Sequence, residues 1–272
     1  MINQWSKNKR YKRKMEEMRL KEIRKNERKS HIEIYSNAEL YKEGSWLIRP
    51  IKTVVDLIPL FDKYEEINVL DLGCGVGRNC ICIARHYYDR LCKIDCVDIL
   101  DLAIEKLYAN ADEYGVTSNI CGIVKSIDDY QIKERNYDLV MAVSSLEHVD
   151  SKETFVNKLR EIEHGIRKNG IVCLVVNSNI KEFDKKTGNE ILPQFEVCLP
   201  TEEMQRIFEK TFSEWTVLKS TVVDQQYDIP RDSGICELKT SVVTFVAKKR
   251  IEIKWLRHYC RKNSVSRSGK GE

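Results

Sequence analysis

The chain has 272 residues, 42% of them apolar, which is enough for one large α/β domain with its own core or for two small ones and excludes a peptide-scale disulfide scaffold. Its formal net charge of +4 is unevenly spread: residues 1–30 carry 12 basic and 4 acidic side chains, residues 248–272 carry 9 and 2, and the middle is acidic. No apolar run approaches the roughly 20 residues that a membrane helix needs, so we expect a cytoplasmic protein without a transmembrane segment.

The ten cysteines are expected to be reduced thiols. Cys80, Cys82, Cys92 and Cys96 lie inside apolar periodic segments of a chain that shows no export signal. No pair has the C-x-x-C spacing typical of structural zinc sites, so we predict no metal site.

The chain divides into three parts by composition. Residues 1–45 are interpreted as a basic N-terminal helical arm, residues 46–248 as the main domain and residues 249–272 as a basic C-terminal tail. Within the arm, residues 5–29 are rich in helix formers with few apolar side chains, which indicates a solvated helix or a partly disordered segment. Residues 251–262 of the tail mix aromatic and basic side chains, as an interfacial helix or a solvated tail would.

From residue 46 onward the apolar periodicity predicts alternating helices and strands. The predicted helices cover residues 46–61, 78–87, 100–114, 152–167 and 201–212, and the predicted strands cover residues 67–72, 93–97, 120–124, 137–143, 171–177, 215–223 and 238–247. The last two strands follow each other without a long helix, so we expect them to pair antiparallel at a sheet edge. The pattern predicts a Rossmann-like, doubly wound α/β fold whose seven-stranded sheet is mostly parallel, with an antiparallel edge strand and helices on both faces.

A glycine-rich turn joins the first strand of this sheet to the next helix, in the segment VLDLGCGVGRN from Val69 to Asn79. Glycines at positions 73, 75 and 77 let the backbone turn tightly and approach a ligand closely. A dinucleotide-binding turn would have its third glycine at position 78, where this chain has Arg78. Asp71 suits a ligand with an ammonium group better than one with a pyrophosphate, because opposite charges attract at close range.

A second acidic residue, Asp98, ends the next predicted strand, 21 positions beyond Gly77. At this place its two carboxylate oxygens can accept hydrogen bonds from both hydroxyls of a ribose. The turn, the strand before it, the helix after it and this acid form one consistent set.

This set resembles the class I S-adenosylmethionine-dependent methyltransferases over about residues 46 to 248. The likeness is closest to the small-molecule branch that includes tellurite-resistance-type methyltransferases, through Arg78 and Asn79 in the turn and the stretches at residues 199–204 and 244–249. Leu146-Glu147-His148 is similar to a signature that small-molecule methyltransferases carry after the fourth strand. The resemblance implies S-adenosyl-L-methionine as cofactor and methyl transfer to a small organic acceptor.

The resemblance also assigns cofactor contacts. It assigns the methionine portion of the cofactor to Asp71 and the glycine turn, and the ribose to Asp98. It places Ser126 at the position where an acid normally lies near the adenine. Backbone groups at Ile127 or the carboxylate of Asp128 are the expected substitutes there. The predicted cofactor-binding residues are Trp46, Arg49, Asp71, Gly73, Cys74, Gly75, Gly77, Arg78, Asn79, Asp98, Ile99, Ser126, Ile127, Asp128 and Ser144.

Three of these assignments have a structural alternative. Arg78 either pairs with the carboxylate of the ligand through its fork of donors or faces solvent. Asp71 alternatively fixes the loop by accepting backbone amides. Trp46 and Arg49 belong either to a lid over the cofactor or to a helix start with a buried tryptophan.

His148 is the predicted general base, because it follows the fourth strand at the edge of the sheet where ligands bind. Its alternative is to cap the next helix or to pack under the ligand loop. Glu147 is expected to orient the ligand or to be solvated at the rim. Phe183, Phe195 and Cys198 are expected in a loop that faces the acceptor. A base is optional, since methyl transfer demands mainly orientation.

Two other functions are compatible with the sequence. A nucleic-acid methyltransferase, acting on RNA, would use the basic ends for phosphate contacts. However, residues 144–147 lack the Asn- or Asp-Pro-Pro-aromatic element usual in enzymes that methylate base amino groups. A non-catalytic cofactor-binding scaffold, held at an anionic surface by its basic ends, is the other alternative.

Overall fold

Helices cover both faces of a central sheet in the computed structural model, which describes residues 2–37, 39–44, 46–231 and 234–250. The helices over these residues are α1 Ile2–Asn37, α2 Lys52–Leu57, α3 Cys80–His86, α4 Asp101–Glu113, α5 Lys152–Gly165 and α6 Thr201–Thr211. The strands are β1 Glu66–Leu72, β2 Leu91–Asp98, β3 Ile120–Val124, β4 Tyr137–Val143, β5 Ile166–Asp184, β6 Glu190–Ile191, β7 Thr216–Arg231 and β8 Gly234–Lys248.

The sheet has the strand order β3-β2-β1-β4-β5-β8-β7, and the short β6 pairs with β5 off this path. Strands β1 to β5 are parallel, whereas β8 is antiparallel to both β5 and β7. The predicted Rossmann-like fold with antiparallel pairing at one edge is therefore confirmed. Strand β5 runs on to Asp184, so Phe183 lies in a strand paired with β8 and β6, and its predicted place in a loop is wrong.

Two apolar cores lie on opposite faces of the sheet. Successive side chains of a strand point to opposite faces, and β1 accordingly sends Ile67 and Val69 into the core shared with α3 and α4. Leu70 and Leu72 enter the other core, which α5 and α6 cover. Every residue of β4 is buried, as a strand covered on both faces requires.

The segment before β1 differs from the single helix that its periodicity predicts. It forms a 3-10 turn at Trp46–Ile48, then α2, then a second 3-10 turn at Ile58–Phe61. Pro50 and Pro59 interrupt the helix because proline has no amide hydrogen to donate. Trp46 is 47% exposed, so the predicted buried tryptophan is wrong, and Leu47 takes the buried place beside it.

The N-terminal arm is a continuous helix, α1, whose second half packs on the domain. Tyr35 and Leu40 are buried in the same core as β1 and α3, and Ile23 is also buried. The core of the main domain therefore includes Tyr35 and Leu40, which the sequence assigns to the arm. Within the described part of the chain, no helix is long and apolar enough to cross a membrane. The predicted interfacial helix over residues 251–262 lies outside the described residues.

Candidate cofactor and acceptor site

The glycine turn lies at the carboxyl end of β1, where its backbone approaches the loop after β4. The amide of Gly73 donates to the carbonyl of Val97 at 2.8 Å, which ties the turn to β2. Gly73 has a φ of +75°, and a Cβ there would lie 2.3 Å from the Cβ of Ser145. At Gly75, with a φ of +53°, a Cβ would lie 2.8 Å from the hydroxyl of Tyr35. Both positions therefore require glycine.

Asp98 closes the turn from the tip of β2. Its Oδ2 accepts a hydrogen bond from the amide of Gly75 at 2.9 Å, and its Oδ1 accepts one from the amide of Leu100 at 2.9 Å. Burial raises the pKa of this carboxyl. Each oxygen keeps a second lone pair, and Asp98 lines the cavity above the turn. The side chain thus has a structural role in the loop that its sequence position does not predict, beside its predicted role toward a ribose.

A cavity of about 390 Å³ lies over the carboxyl ends of β1, β2, β3 and β4. This volume is typical of a small-molecule site. Seven of the predicted cofactor residues line it, namely Gly73, Asp98, Ile99, Ser126, Ile127, Asp128 and Ser144. The structure therefore brings together the predicted ribose and adenine contacts, which lie at the ends of two neighbouring strands, β2 and β3.

The other predicted cofactor residues lie beside or beneath this cavity rather than in its wall. They are Trp46, Arg49, Asp71, Cys74, Gly75, Gly77, Arg78 and Asn79. The guanidinium of Arg78 stacks over the ring of Trp46 at 4.6 Å and donates to its carbonyl at 3.2 Å, so Arg78 is engaged with Trp46 in this structure, and its pairing with a ligand carboxylate stays a prediction. The side chain of Asn79 accepts a hydrogen bond from the amide of Ile51 at 3.1 Å.

Asp71 is buried under the turn. Burial, with a smaller contribution from the nearby Asp98 carboxylate, raises the pKa of Asp71 to about 7. Its Oδ2 has no hydrogen-bond partner. An unpartnered buried carboxylate oxygen is unfavourable when charged, which makes this group sensitive to pH.

Helix α1 forms one wall of the cavity, a role that its composition does not predict. Its contributing side chains are those of Arg24, Lys25, Glu27, Arg28, His31 and Tyr35. Positions 24, 27, 28, 31 and 35 follow the three- and four-residue spacing of one helix face. This spacing of charged and aromatic side chains is the sequence signal for a cavity-lining face on α1. Because the face is polar, it is not identified from the sequence as part of a site.

The basic residues of this face pair with acids of the domain. The Nη2 of Arg24 lies 2.9 Å from Oδ2 of Asp128 and 2.6 Å from Oδ1 of Asp150. Arg28 forms an ion pair with Asp101 at 2.9 Å. Asp128, predicted near the adenine, is therefore held by α1 in this structure.

His148 lines the same cavity between two carboxylates. Its Nδ1 lies 3.0 Å from Oε1 of Glu27 and 3.1 Å from Oε2 of Glu196, and its ring stacks on Phe195 with centroids 5.2 Å apart. Burial by itself would lower the pKa of His148, but the Glu27 and Glu196 carboxylates raise it well above its usual value. The two carboxylates thus favour the protonated imidazole in this structure, and the general-base role of His148 stays a prediction.

Glu147 does not lie at the rim, where its sequence position predicts it. Its side chain is fully buried, its Oε1 accepts hydrogen bonds from the backbone amide and side-chain amide of Asn177, and its Oε2 has no hydrogen-bond partner. Burial raises the pKa of this carboxyl. Glu147 thus ties the turn that carries His148 to strand β5 and does not itself line the cavity.

Sequence comparison agrees with this geometry. A family profile described as a methyltransferase domain matches residues 69–170, a span that includes the glycine turn, Asp98 and His148. Residues 69–170 thus match the methyltransferase domain that the resemblance in the sequence predicts, and the chain has the class I fold. The match begins inside β1 and ends before the main part of β5, so α1 and the antiparallel edge of the sheet lie outside it.

Individual relatives of the methyltransferase domain are distant. Norajmaline N-methyltransferase of Rauvolfia serpentina is 31% identical over 94 residues, which are 34% of this chain and 30% of that protein. Carboxy-S-adenosyl-L-methionine synthase of Shewanella sediminis is 29% identical over 117 residues, 43% of this chain and 47% of that protein. The chain thus spans less than half the length of either. The crystal structure of TehB from Haemophilus influenzae superposes with a TM-score of 0.55 at 19% identity, covering 74% of this chain and 62% of that one, which shows the shared fold.

Proposed function

We propose that this protein transfers a methyl group from S-adenosyl-L-methionine to a small organic acceptor. The observation that carries the proposal is the cavity of about 390 Å³, with Gly73 and Asp98 on one side and α1 on the other. When bound, the cofactor supplies an electrophilic methyl group on a positively charged sulfur. A cavity of this size is typical of sites for small molecules, and α1 forms one of its walls.

The residues around the cavity fit this cofactor. Gly73 has no side chain, so its backbone is accessible to a ligand at the turn, where any Cβ would contact Ser145. Asp98 keeps free lone pairs on both oxygens for ribose hydroxyls. Ser126 and Ile127 offer polar and apolar contacts at the end of β3 for the adenine. The acids along the wall favour a ligand that is positively charged at sulfur and at its ammonium group.

Positioning is the main task of the protein in this reaction. A fixed donor and acceptor convert a bimolecular encounter into an effectively unimolecular step, and this can supply much of the reduction in the barrier. His148, on which Phe195 stacks, and the side chains of α1 line the cavity and would hold the acceptor and exclude water. The proposal requires no proton transfer by the protein.

Two basic residues of α1 do not favour a nucleic-acid acceptor. Arg24 and Arg28 pair with Asp128, Asp150 and Asp101 of the domain, so these charges are not available to phosphates. Two curated relatives are named as N-methyltransferases, of ajmaline and of norajmaline. Amines therefore come first among the small acceptors to be tried.

Two measurements test the proposal. Calorimetric titration with S-adenosyl-L-methionine should show binding that Asp98→Asn weakens by about 10- to 100-fold, since a hydrogen bond to a charged group is worth roughly 1.5–3 kcal/mol. Asp89→Asn, at an exposed position after α3, is the matched control. Methyl-labelled cofactor added with fractionated cell extract should then label the small-molecule fraction. Unchanged affinity in Asp98→Asn would refute the cofactor assignment, and label found only in RNA would refute the acceptor class.

A further inference from the structure

Three side chains from distant segments converge in the wall of the cavity. They are Glu27 on α1, His148 after β4 and Glu196 in the segment between β6 and α6. One oxygen or nitrogen atom from each lies within 4.8 Å of the other two. The three side chains are brought together only by the fold and by the docking of α1. No local sequence spacing therefore predicts the cluster.

Two distances within this cluster are those of neighbouring ligands around one metal ion, and the third is at most 4.8 Å. Metal–ligand bonds of about 2.0–2.2 Å at angles of about 90–110° separate neighbouring ligand atoms by roughly 3.0–3.5 Å. The Nδ1 of His148 lies 3.0 Å from the Glu27 oxygen and 3.1 Å from the Glu196 oxygen. An imidazole nitrogen presents one direction for a proton or a lone pair, so one hydrogen cannot point at both carboxylates. A cation placed between the three atoms contacts all of them.

A second observation points to a missing cation. The Glu196 side chain is fully buried, and its Oε1 has no hydrogen-bond partner. The charge closest to that oxygen is the Nε of Arg24, 3.6 Å away, and the same guanidinium already pairs with Asp128 and Asp150. One guanidinium thus faces three carboxylates, and the Oε1 of Glu196 is left without a hydrogen bond. Buried carboxylates in such surroundings are paired or coordinate metals.

We propose that Glu27, His148 and Glu196 bind one divalent transition-metal ion inside the cavity. One imidazole and two carboxylates suit Mn²⁺, Fe²⁺ and Zn²⁺. Three protein ligands leave at least one coordination position open, as in catalytic rather than structural sites. An oxygen or nitrogen atom of the acceptor would occupy that position. The metal site does not depend on the proposed methyl transfer, and the ion would also tie α1 to the domain through Glu27.

The test uses Mn²⁺ alone with the full chain, after treatment with a chelator. Mn²⁺ prefers oxygen and nitrogen ligands over thiolates, which avoids the exposed Cys121 and Cys198. Titration followed by electron paramagnetic resonance should show one tightly bound Mn²⁺ per chain, with hyperfine coupling to an imidazole nitrogen. Glu196→Gln and Glu27→Gln should each weaken binding by at least about 10- to 100-fold, the loss usual even for residues that only orient ligands. Glu22→Gln, an exposed carboxylate on the same helix, is the matched control and should bind as the unmodified chain does.

Absence of tight Mn²⁺ binding in the unmodified chain would overturn the site, as would binding without nitrogen coupling. Equal affinity in Glu196→Gln or Glu27→Gln and the unmodified chain would overturn it as well. The nitrogen coupling is read from the unmodified chain, so that result does not depend on how well a variant folds. A protonated His148 shared between the two carboxylates is the competing arrangement, and it predicts no tight Mn²⁺. No methyl donor is present, so failure here leaves the proposed function standing.

Discussion

Gly73 occupies a position that no larger residue can take without moving the loop after β4. In Gly73→Ala the new Cβ would meet the Cβ of Ser145 at 2.3 Å on a backbone with φ of +75°. We expect a loss of about 1–3 kcal/mol in unfolding free energy and at least tenfold weaker cofactor binding, measured by urea denaturation and calorimetry. Gly115→Ala is the matched control, because Gly115 has φ of +68° and nothing within 4 Å of the added Cβ. Equal effects in the two variants would show that the contact with Ser145 is unimportant.

Asp71 should make the stability of the cofactor-free protein depend on pH. Burial and the nearby Asp98 raise its pKa to about 7, against about 3.9 in an unfolded chain. The folded state therefore favours the protonated acid, and the stabilisation present below about pH 4 is lost as the pH rises toward 7. The urea concentration at which half of the protein is unfolded should decrease as the pH rises from 5 to 8 in the unmodified chain. It should decrease less in Asp71→Asn. A parallel pH dependence in both proteins would contradict the assignment.

Substitution of Tyr35 tests whether α1 is an integral element of the domain. Its ring is buried in the core shared with β1 and α3, with the hydroxyl at the turn glycine Gly75. Tyr35→Ala should lower the unfolding free energy by about 2–4 kcal/mol, as other removals of a buried aromatic ring do. Tyr88→Ala, whose side chain is 75% exposed, should change it by less than about 0.5 kcal/mol. If the two variants were equally stable, α1 would be the loosely attached arm that its composition suggests.

The elements differ in how well the sequence predicts them. The bounds predicted for β3 and β4 agree with the structure to the residue, because these strands are short apolar runs between polar segments. Strand β7 extends eight residues past its predicted end, through a stretch of exposed polar side chains at the sheet edge. An exposed edge strand buries neither face fully and so leaves no alternating pattern to read. Pro230 is compatible with this edge position but reads as a strand breaker in sequence.

The residues of the candidate site also differ in how well the sequence predicts them. Asp98, Gly73 and the end of β3 were predicted, because they follow strands whose carboxyl ends share one edge of the sheet. The contributions of Arg24, Glu27 and Tyr35 were missed. A helix that docks on a polar cavity through ion pairs has no apolar stripe, and its charged face resembles a solvated one. Glu196 lies in an irregular segment, where only the tertiary fold places it beside His148.

At the scale of the whole molecule, the uneven charge of the chain has a partial structural explanation. The second half of α1 carries part of the basic excess, and it lies against acids of the main domain rather than in solvent. Arg19 also donates to the carbonyls of Pro193 and Phe195, which brings α1 to the segment that carries Glu196. The attachment of α1 is therefore electrostatic at Arg24 and Arg28 and apolar at Ile23 and Tyr35.

This mixed attachment should respond to salt. Raising NaCl from about 0.05 to 0.5 M shortens the screening length from about 14 to about 4 Å, which weakens the partly exposed pairs of Arg24 and Arg28. Hydrogen exchange of amides in residues 19–37 should quicken by about two- to fivefold, since such pairs contribute at most about 1 kcal/mol each, while exchange in β4 stays unchanged. Arg24→Met should exchange faster at low salt and respond less to added salt, whereas Lys21→Met should behave as the unmodified chain does. Uniform exchange at both salt concentrations would mean that apolar packing at Tyr35 and Ile23 alone holds the helix over the cavity.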